Sequence, residues 1–298
     1  MAPVVTVGLD GSPESLSAAR WAAREAELRH ATLRLLHAWV LLSVGPDESP
    51  AAEPRESDQN YWAERIMAEA LRTVTEHHPD LPVIEDLVAQ DPVSALLTAA
   101  GESEVLVLGS RDMAPMASYF LGDIGLHVVA RADRPSVLVR AGDDRDDIAS
   151  VIEGRDVVVG LSLHGPCDAL MEFAFDSAAR RGVPLRAVHG RNLPPPAFTH
   201  GGADPYFPGT VAGRAAEEAR RDLAGALRPW QEKYPDVCVE DTVRVESAAP
   251  AVVRGAAGAG LLVVGRRKNR PVLAPRVGHV LSAAVHHAPC PVAVVPHD

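Results

Sequence analysis

The sequence predicts two α/β units in tandem, each containing a parallel sheet of five strands. The first observation is a long internal repeat, because the segment from Val105 to Val139 recurs from Leu261 to Val295. The second is that short apolar runs alternate with helical patterns in both halves, which is typical of a parallel sheet covered on both faces. The third is length, since 298 residues allow each half to bury its own core.

The elements of the first half follow from local patterns taken in order. A β-branched run from Val4 predicts the first strand, and Ser12 and Pro13 predict the N-cap and first turn of the next helix. The remaining elements are predicted as a strand at 33–40, a helix at 58–77, a strand at 83–89, a helix at 92–100, a strand at 105–108, a helix at 121–131 and a strand at 136–140.

The same order of elements restarts after a short acidic segment. Residues 142–154 contain clustered Asp residues and flanking glycines, which favour solvent over packing and predict a linker between domains 1–141 and 155–298. In the second half we predict strands from Asp156, at 185–190, at 237–245, from Leu261 and at 291–295, with helices at 214–233 and 250–258.

Composition excludes several functional classes. The net charge of −11 disfavours nucleic-acid binding, and no apolar run is long enough for a membrane span, so we expect a cytoplasmic protein with neither partner. Three cysteines without C-x-x-C spacing disfavour a disulfide framework, and adjacent histidines at 286–287 diverge on a helix, so no metal site is predicted. Residues 1–150 carry 12 basic and 25 acidic side chains and residues 151–298 carry 17 and 15, which indicates different partners for the two halves.

A pair of glycines recurs at one spacing in both halves. Gly109 and Gly122 are thirteen residues apart, as are Gly265 and Gly278. Glycine allows backbone to turn sharply or to approach another group closely, so the spacing predicts an anion or nucleotide cradle.

The segments VGLDGS, LLHAW, VLVLGS and PSVLV, together with this spacing, resemble the universal stress protein family over nearly the whole chain, twice. In that family a loop of the form Gly, two residues, Gly, nine residues, Gly, Ser or Thr holds the phosphates of ATP. An Asp after the first strand and backbone at the end of the second strand recognise ribose and adenine. The resemblance implies a Rossmann-like sheet of order 3-2-1-4-5 and ATP or another adenine nucleotide as ligand, with or without Mg²⁺.

The resemblance places a nucleotide site in the first half. Asp112 and Asp123 depart from the family pattern, because they stand where the second Gly and the Ser or Thr are expected. A carboxylate beside phosphate is unfavourable unless a cation such as Arg111 or Mg²⁺ intervenes. The implied nucleotide-binding residues are Gly8, Leu9, Asp10, Ala38, Leu108, Gly109, Ser110, Arg111, Gly122, Asp123 and Ile124.

The second half departs further from the pattern. Ser162 replaces the nucleoside-binding Asp, Lys268 replaces the second Gly, and His279 replaces the Ser or Thr. The cationic loop suits a small anion or an acidic partner surface, whereas the alternative is that its side chains are solvated or ion-paired. The candidate anion-binding residues are Gly265, Arg266, Arg267, Lys268, Gly278 and His279.

The function expected from the sequence is that of a tandem stress-response regulatory protein with a degenerate second site and no catalytic residues. No Walker motif and no nucleophile elbow is present, so an efficient enzyme is not indicated. A nucleotide-independent interaction module and a slow ATP hydrolase remain alternatives. The last strand of each half is predicted at a sheet edge, and in the family this strand mediates dimerisation. We therefore expect a pseudo-dimer within the chain, a homodimer of chains, and a protein partner.

Overall fold

A computed structural model describes residues 2–39, 54–110, 123–141, 155–192, 211–268 and 277–298, without the side chains of residues 54–60, 123 and 211. The chain divides into two compact units, Met1–Arg145 and Asp146–Asp298, called the first and the second unit below. Both are built from alternating strands and helices, so the predicted α/β class is confirmed.

The first unit contains a parallel sheet with the strand order that the family resemblance implied. Its strands pair as β3-β2-β1-β4-β5. Its described elements are β1 (Val4–Gly8), α1 (Pro13–Arg29), β2 (Thr32–Trp39), α2 (Pro54–Thr75), β3 (Val83–Ala89), α3 (Pro92–Glu102), β4 (Val105–Ser110), α4 (Asp123–Val129) and β5 (Ser136–Arg140).

Helix α1 begins as its sequence predicts. Ser12 has extended backbone and its hydroxyl accepts a hydrogen bond from the backbone N of Ser15 at 3.2 Å, and Pro13 opens the first turn. The helix ends at His30, which has left-handed backbone with φ of 50°. Its buried face consists largely of alanines at positions 18, 19, 22, 23 and 26, and these small side chains allow the helix to pack closely against the sheet.

One buried ion pair lies on the same helix. Arg29 Nε is 2.6 Å from Glu25 Oε1, and these two side chains are 5% and 1% exposed. Arg29 also lies 3.5 Å from the carboxylate of Glu104. A charge pair at this depth is strongly destabilising when one partner is removed.

The second unit repeats the topology, with parallel strands in the order β8-β7-β6-β9-β10. Counted from the start of the unit, this is again 3-2-1-4-5. Its described elements are β6 (Val157–Gly160), α5 (Asp168–Arg181), β7 (Leu185–Gly190), α6 (Val211–Lys233), β8 (Val239–Arg244), α7 (Ala248–Gly255), β9 (Leu261–Arg267), α8 (His279–His287) and β10 (Val292–His297).

Helices α1 and α5 end at matching positions but begin at different ones. Both end at an arginine, Arg29 or Arg181, followed by a left-handed residue, His30 or Gly182. However, α1 has 17 residues and α5 has 14, so the first turn of α1 has no helical counterpart. The buried face of α5 carries larger side chains, including Leu170, Met171 and Phe175, and Phe175 stacks on Trp230 at 6.1 Å.

Some element boundaries differ from prediction. Helix α2 begins at Pro54 instead of residue 58 and ends at Thr75, and α3 continues to Glu102. Strands β4 and β9 run on to Ser110 and Arg267, because their neighbours β5 and β10 continue pairing with them to Arg140 and His297. The predicted linker, residues 142–154, lies outside the described residues. Among the helices that the structure describes, none combines the length and the apolar character needed to cross a bilayer.

Candidate functional site

A crevice of about 330 Å³ opens at the carboxyl ends of the strands in the first unit. It lies where β1 separates β2 from β4, which is the point at which the direction of the strand order reverses. Open α/β sheets bind ligands at such switch points. The crevice is lined by Gly8, Leu9, Asp10, Ser12, Glu14, Ser15, Leu36, His37, Ala38, Pro92, Leu96, Leu108, Gly109, Ser110, Ile124, Gly125 and Leu138.

The crevice brings together every residue of the predicted nucleotide site whose side chain the structure describes. These residues are Gly8, Leu9, Asp10, Ala38, Leu108, Gly109, Ser110 and Ile124. The predicted residues Arg111 and Gly122, as well as Asp112, lie outside the described residues. Asp123 is the first residue of α4, and its side chain also lies outside them.

Gly109 is the point of closest approach between the sheet and α1. A Cβ atom built on Gly109 would be 2.6 Å from the carbonyl carbon of Glu14 and 2.7 Å from the backbone N of Ser15. Only glycine therefore fits at this position without displacing the first turn of α1. The same contact brings the backbone N-terminus of the helix to the wall of the crevice.

Asp10 stabilises the turn at the edge of the crevice. Its Oδ1 accepts hydrogen bonds from the backbone N of Ser12 at 2.9 Å and from the Ser12 hydroxyl at 2.5 Å. Gly11, with φ of 78°, allows the chain to turn between them. The carboxylate of Asp10 is thereby held in a defined position on an exposed residue.

The crevice has apolar walls with few polar groups. Five leucines contribute to it, at positions 9, 36, 96, 108 and 138. Ser110 is 5% exposed, and its hydroxyl has no hydrogen-bond partner within the described part of the chain. A buried hydroxyl without a partner is unfavourable unless a ligand or water supplies one. Apolar walls with a small number of placed polar groups are typical of small-molecule sites, whose volumes are about 300–1,000 Å³.

The charged side chains among the described lining residues are Asp10 and Glu14, both acidic.

Pro92, which also lines the crevice, opens α3 immediately after the N-cap Asp91. A backbone hydrogen bond from Ser94 and a further bond from its hydroxyl lower the pKa of Asp91, so this carboxylate stays ionised and fixes the start of the helix. Within the described ranges, no three His, Cys, Asp or Glu side chains are grouped to hold a metal ion.

Sequence reasoning assigned no ligand role to several lining residues. One of them is His37, whose Nδ1 lies 2.8 Å from the carbonyl oxygen of Leu9. Gly125 has no atom within 4 Å of a Cβ built on it and thus borders open space. The repeat could have indicated this open position, because the small Gly125 of the first half is matched by the larger Leu281 in the second half.

The corresponding region of the second unit is more closely packed. The imidazole of His297 lies directly against Gly265, the counterpart of Gly109, and Leu170 lies beside it. Gly190, the counterpart of Ala38, is so close to α7 that a Cβ built on it would be 2.7 Å from Ala248 Cα.

Two substitutions add volume at this end of the second sheet. Arg266, which replaces Ser110, is 6% exposed, and Leu281, which replaces Gly125, is 2% exposed. The side chain of Arg267 donates from Nη2 to the carbonyl oxygen of His164 at 2.5 Å. His164 matches Ser12, the N-cap of α1, and directly precedes the segment that replaces the first turn of that helix. The region that is open in the first unit is thus filled by side chains in the second.

The predicted anion-binding residues are placed differently from expectation. Arg266 and Arg267 belong to β9 instead of a loop, because β9 pairs with β10 as far as His297. Arg266 is buried, whereas Arg267, Lys268 and His279 are exposed. Lys268 donates its backbone N–H to the carbonyl oxygen of His297 at 2.8 Å. Gly278 is the N-cap of α8 and His279 its first residue.

A second cavity, of about 420 Å³, lies between the segment after β6 and the middle of α6. It is lined by Leu161, Ser162, Leu163, Gly165, Cys167, Arg221, Asp222, Gly225 and Ala226, without a residue of β7, β9 or β10. Burial and then the charge of Asp168 raise the pKa of the Cys167 thiol, which therefore stays protonated.

Comparison with known sequences identifies related proteins along both units. A model of the universal stress protein family matches residues 1–140 and 154–296. Universal stress protein Rv2005c of Mycobacterium tuberculosis is 31% identical over 298 residues, which cover 97% of this chain and 96% of that protein. A universal stress protein of Mycolicibacterium smegmatis is 32% identical over 297 residues, which cover 98% and 96%.

Comparison with solved structures identifies the same fold. A universal stress protein from Archaeoglobus fulgidus superposes with a TM-score of 0.69 at 16% identity, covering 99% of this chain and 98% of that one. A putative universal stress protein from Pseudomonas aeruginosa superposes with a TM-score of 0.57 at 13% identity, covering 99% and 93%.

Proposed function

Because the chain belongs to the universal stress protein family in both halves, we propose that it is a regulatory protein that binds one adenine nucleotide per chain, in the crevice of the first unit. The observation that carries this proposal is the crevice itself, which joins eight residues of the predicted site at the switch point of the sheet. Family membership supports the choice of an adenine nucleotide, and the packed counterpart in the second unit supports one site per chain.

The charges favour a nucleotide with few phosphates. Asp10 and Glu14 line the crevice, and Asp112 and Asp123 occur in the segment that resembles the phosphate loop. Each added phosphate increases repulsion from these carboxylates unless a cation intervenes. We expect affinity to fall from AMP to ATP in the absence of Mg²⁺, and Mg²⁺ to recover part of the loss for ATP.

Isothermal titration with AMP, ADP and ATP, with and without Mg²⁺, tests the proposal. We expect about one site per chain. Asp10→Ala removes a charged hydrogen-bond acceptor and is expected to weaken binding about tenfold or more. Ser162→Ala, at the matching position of the second unit, is the control and leaves affinity unchanged. Absence of binding to any of these nucleotides, or full affinity in folded Asp10→Ala, contradicts the proposal.

A second role is favoured by exposed basic side chains of the second unit. The exposed residues are Arg267, Lys268 and His279. They lie in the second unit at the region where side chains fill the counterpart of the nucleotide crevice. We propose that this surface contacts an acidic protein partner independently of nucleotide. In a co-precipitation from the source cell, Arg267→Ala/Lys268→Ala is expected to lose a partner that Asp10→Ala retains. Equal loss in both variants contradicts this separation of roles.

The alternative of slow ATP hydrolysis depends on Asp123 as a ligand for Mg²⁺ or water. Phosphate release from ATP, measured for wild type and Asp123→Asn against a boiled control, distinguishes it from a purely regulatory role. Release above the control that depends on Asp123 would favour hydrolysis.

A further inference from the structure

Two histidines at matching positions make the same hydrogen bond in the two units. His37 Nδ1 lies 2.8 Å from the carbonyl oxygen of Leu9, and His189 Nδ1 lies 2.9 Å from that of Leu161. In each unit the bond joins the end of the second strand to the segment after the first strand. The bond therefore belongs to the shared fold and does not by itself indicate a ligand.

This bond determines the chemistry of the other ring nitrogen. A carbonyl oxygen only accepts hydrogen bonds, so Nδ1 must carry the hydrogen. In the neutral imidazole, Nε2 is then an acceptor. Among the described residues the carbonyl of Leu9 is the hydrogen-bond partner of His37, and Nε2 has none.

The surroundings of the two rings differ. His189 is 4% exposed, and the neighbouring Gly190 packs against α7. His37 is half-buried and lines the crevice. The imidazole that is buried in the second unit therefore has a counterpart that lines the open site of the first.

The remaining walls near this end of the crevice are apolar. Leu9, Leu36, Pro92 and Leu96 line it together with His37. An apolar slot accommodates a flat purine ring, and a single acceptor at its edge selects a ring that carries a donor. We propose that His37 Nε2 accepts a hydrogen bond from the exocyclic amine of adenine, which makes His37 a base-recognising residue. This inference rests on the proposed function.

Two ligands and two variants test it. Adenosine monophosphate is compared with purine riboside 5′-monophosphate, which lacks the exocyclic amine, by isothermal titration. His37→Asn keeps a donor for the carbonyl of Leu9 but has no group at the position of Nε2. His189→Asn makes the same change in the second unit and is the matched control.

Wild type and His189→Asn are expected to bind the adenine nucleotide about three- to tenfold more tightly than the purine analogue, the preference of one neutral hydrogen bond. His37→Asn is expected to bind both ligands equally. Equal affinities in wild type, or a preference that persists in His37→Asn, overturn the role of His37 while leaving nucleotide binding intact. If neither ligand binds wild type, the proposed function fails and this inference fails with it.

A measurement on the wild-type protein covers the case in which His37→Asn does not fold. In protein labelled with ¹⁵N-histidine, the resonance of the His37 Nε2 is expected to move upfield when the adenine nucleotide binds and to move less with the purine analogue. Equal shifts with both ligands overturn the inference.

Discussion

The two units have one strand order and one set of helices, but they differ at the carboxyl ends of their strands. In the first unit Gly109 packs against the backbone of α1, and open space remains beside it. In the second unit α5 begins later, and His297 and Leu170 lie against Gly265. A fold duplicated within one chain can therefore retain its core while one copy loses the cavity for which its topology is suited.

The largest expected difference concerns the helices that cover the two sheets. Arg29→Ala leaves the buried Glu25 without its arginine and is expected to cost about 3–5 kcal/mol. The matching Arg181 donates to the carbonyl oxygen of Ser177 at 3.2 Å and is less buried, so Arg181→Ala is expected to cost about 1 kcal/mol. Urea unfolding combined with hydrogen-exchange mass spectrometry separates the units. Equal costs would show that the two helices are equally dependent on charge.

The next difference concerns the matching glycines. In Gly109→Ala the new methyl group overlaps the backbone of Glu14 and Ser15, which is expected to cost about 2–3 kcal/mol and to abolish nucleotide binding. In Gly265→Ala it meets the side chains of His297 and Leu170, which can shift more easily than backbone, and the expected cost is below about 1 kcal/mol. Thermal unfolding of both variants measures this. A larger loss in Gly265→Ala would mean that His297 is held as firmly as the first turn of α1.

A smaller difference is expected at the N-cap of α1. Ser12→Ala removes the hydroxyl that accepts from Ser15 and donates to Asp10, and is expected to cost about 1 kcal/mol. The matching residue His164 has an exposed side chain, so His164→Ala should change stability by less than about 0.5 kcal/mol. Denaturant unfolding measures the free energy of unfolding of both variants. Equal losses in Ser12→Ala and His164→Ala would argue that the Ser12 hydroxyl contributes nothing as a cap.

The smallest difference is expected at the C-caps. His30 has left-handed backbone with φ of 50°, and its counterpart Gly182 has φ of 63°. His30→Gly is expected to raise the free energy of unfolding by about 0.5–1 kcal/mol, and Gly182→His to lower it by a similar amount. Melting temperatures of the two variants should move in opposite directions. A lower melting temperature for His30→Gly would contradict this explanation.

The fold was largely predictable because its signals are local. Ser12 and Pro13 mark the start of α1, and the repeat places the second set of elements. The ends of β4 and β9 were not predictable from local composition, since Ser110 and Arg267 extend these strands through pairing with β5 and β10. The strand order was implied by the family resemblance and is confirmed in each unit.

The site was predictable only in part because cavities depend on distant residues. Asp10 and Gly109 are recognisable in a motif, but the contact of His297 with Gly265 joins segments that no spacing rule relates. His37 and His189 occupy matching positions and make the same hydrogen bond, so packing distinguishes the lining residue from the buried one.

The shorter helix of the second unit also changes the electrostatic field at the ends of its strands. Three fewer residues move the positive end of the helix dipole away by about 4.5 Å. In its place stands the guanidinium of Arg267, which reaches back to the carbonyl of His164. A helix dipole is a fixed partial charge, whereas a guanidinium is a full charge on a side chain that can rotate toward another acceptor. In the first unit the positive charge at the strand ends is thus the fixed partial charge of a helix terminus beside the carboxylates of Asp10 and Glu14, and in the second unit it is a full charge that can be redirected.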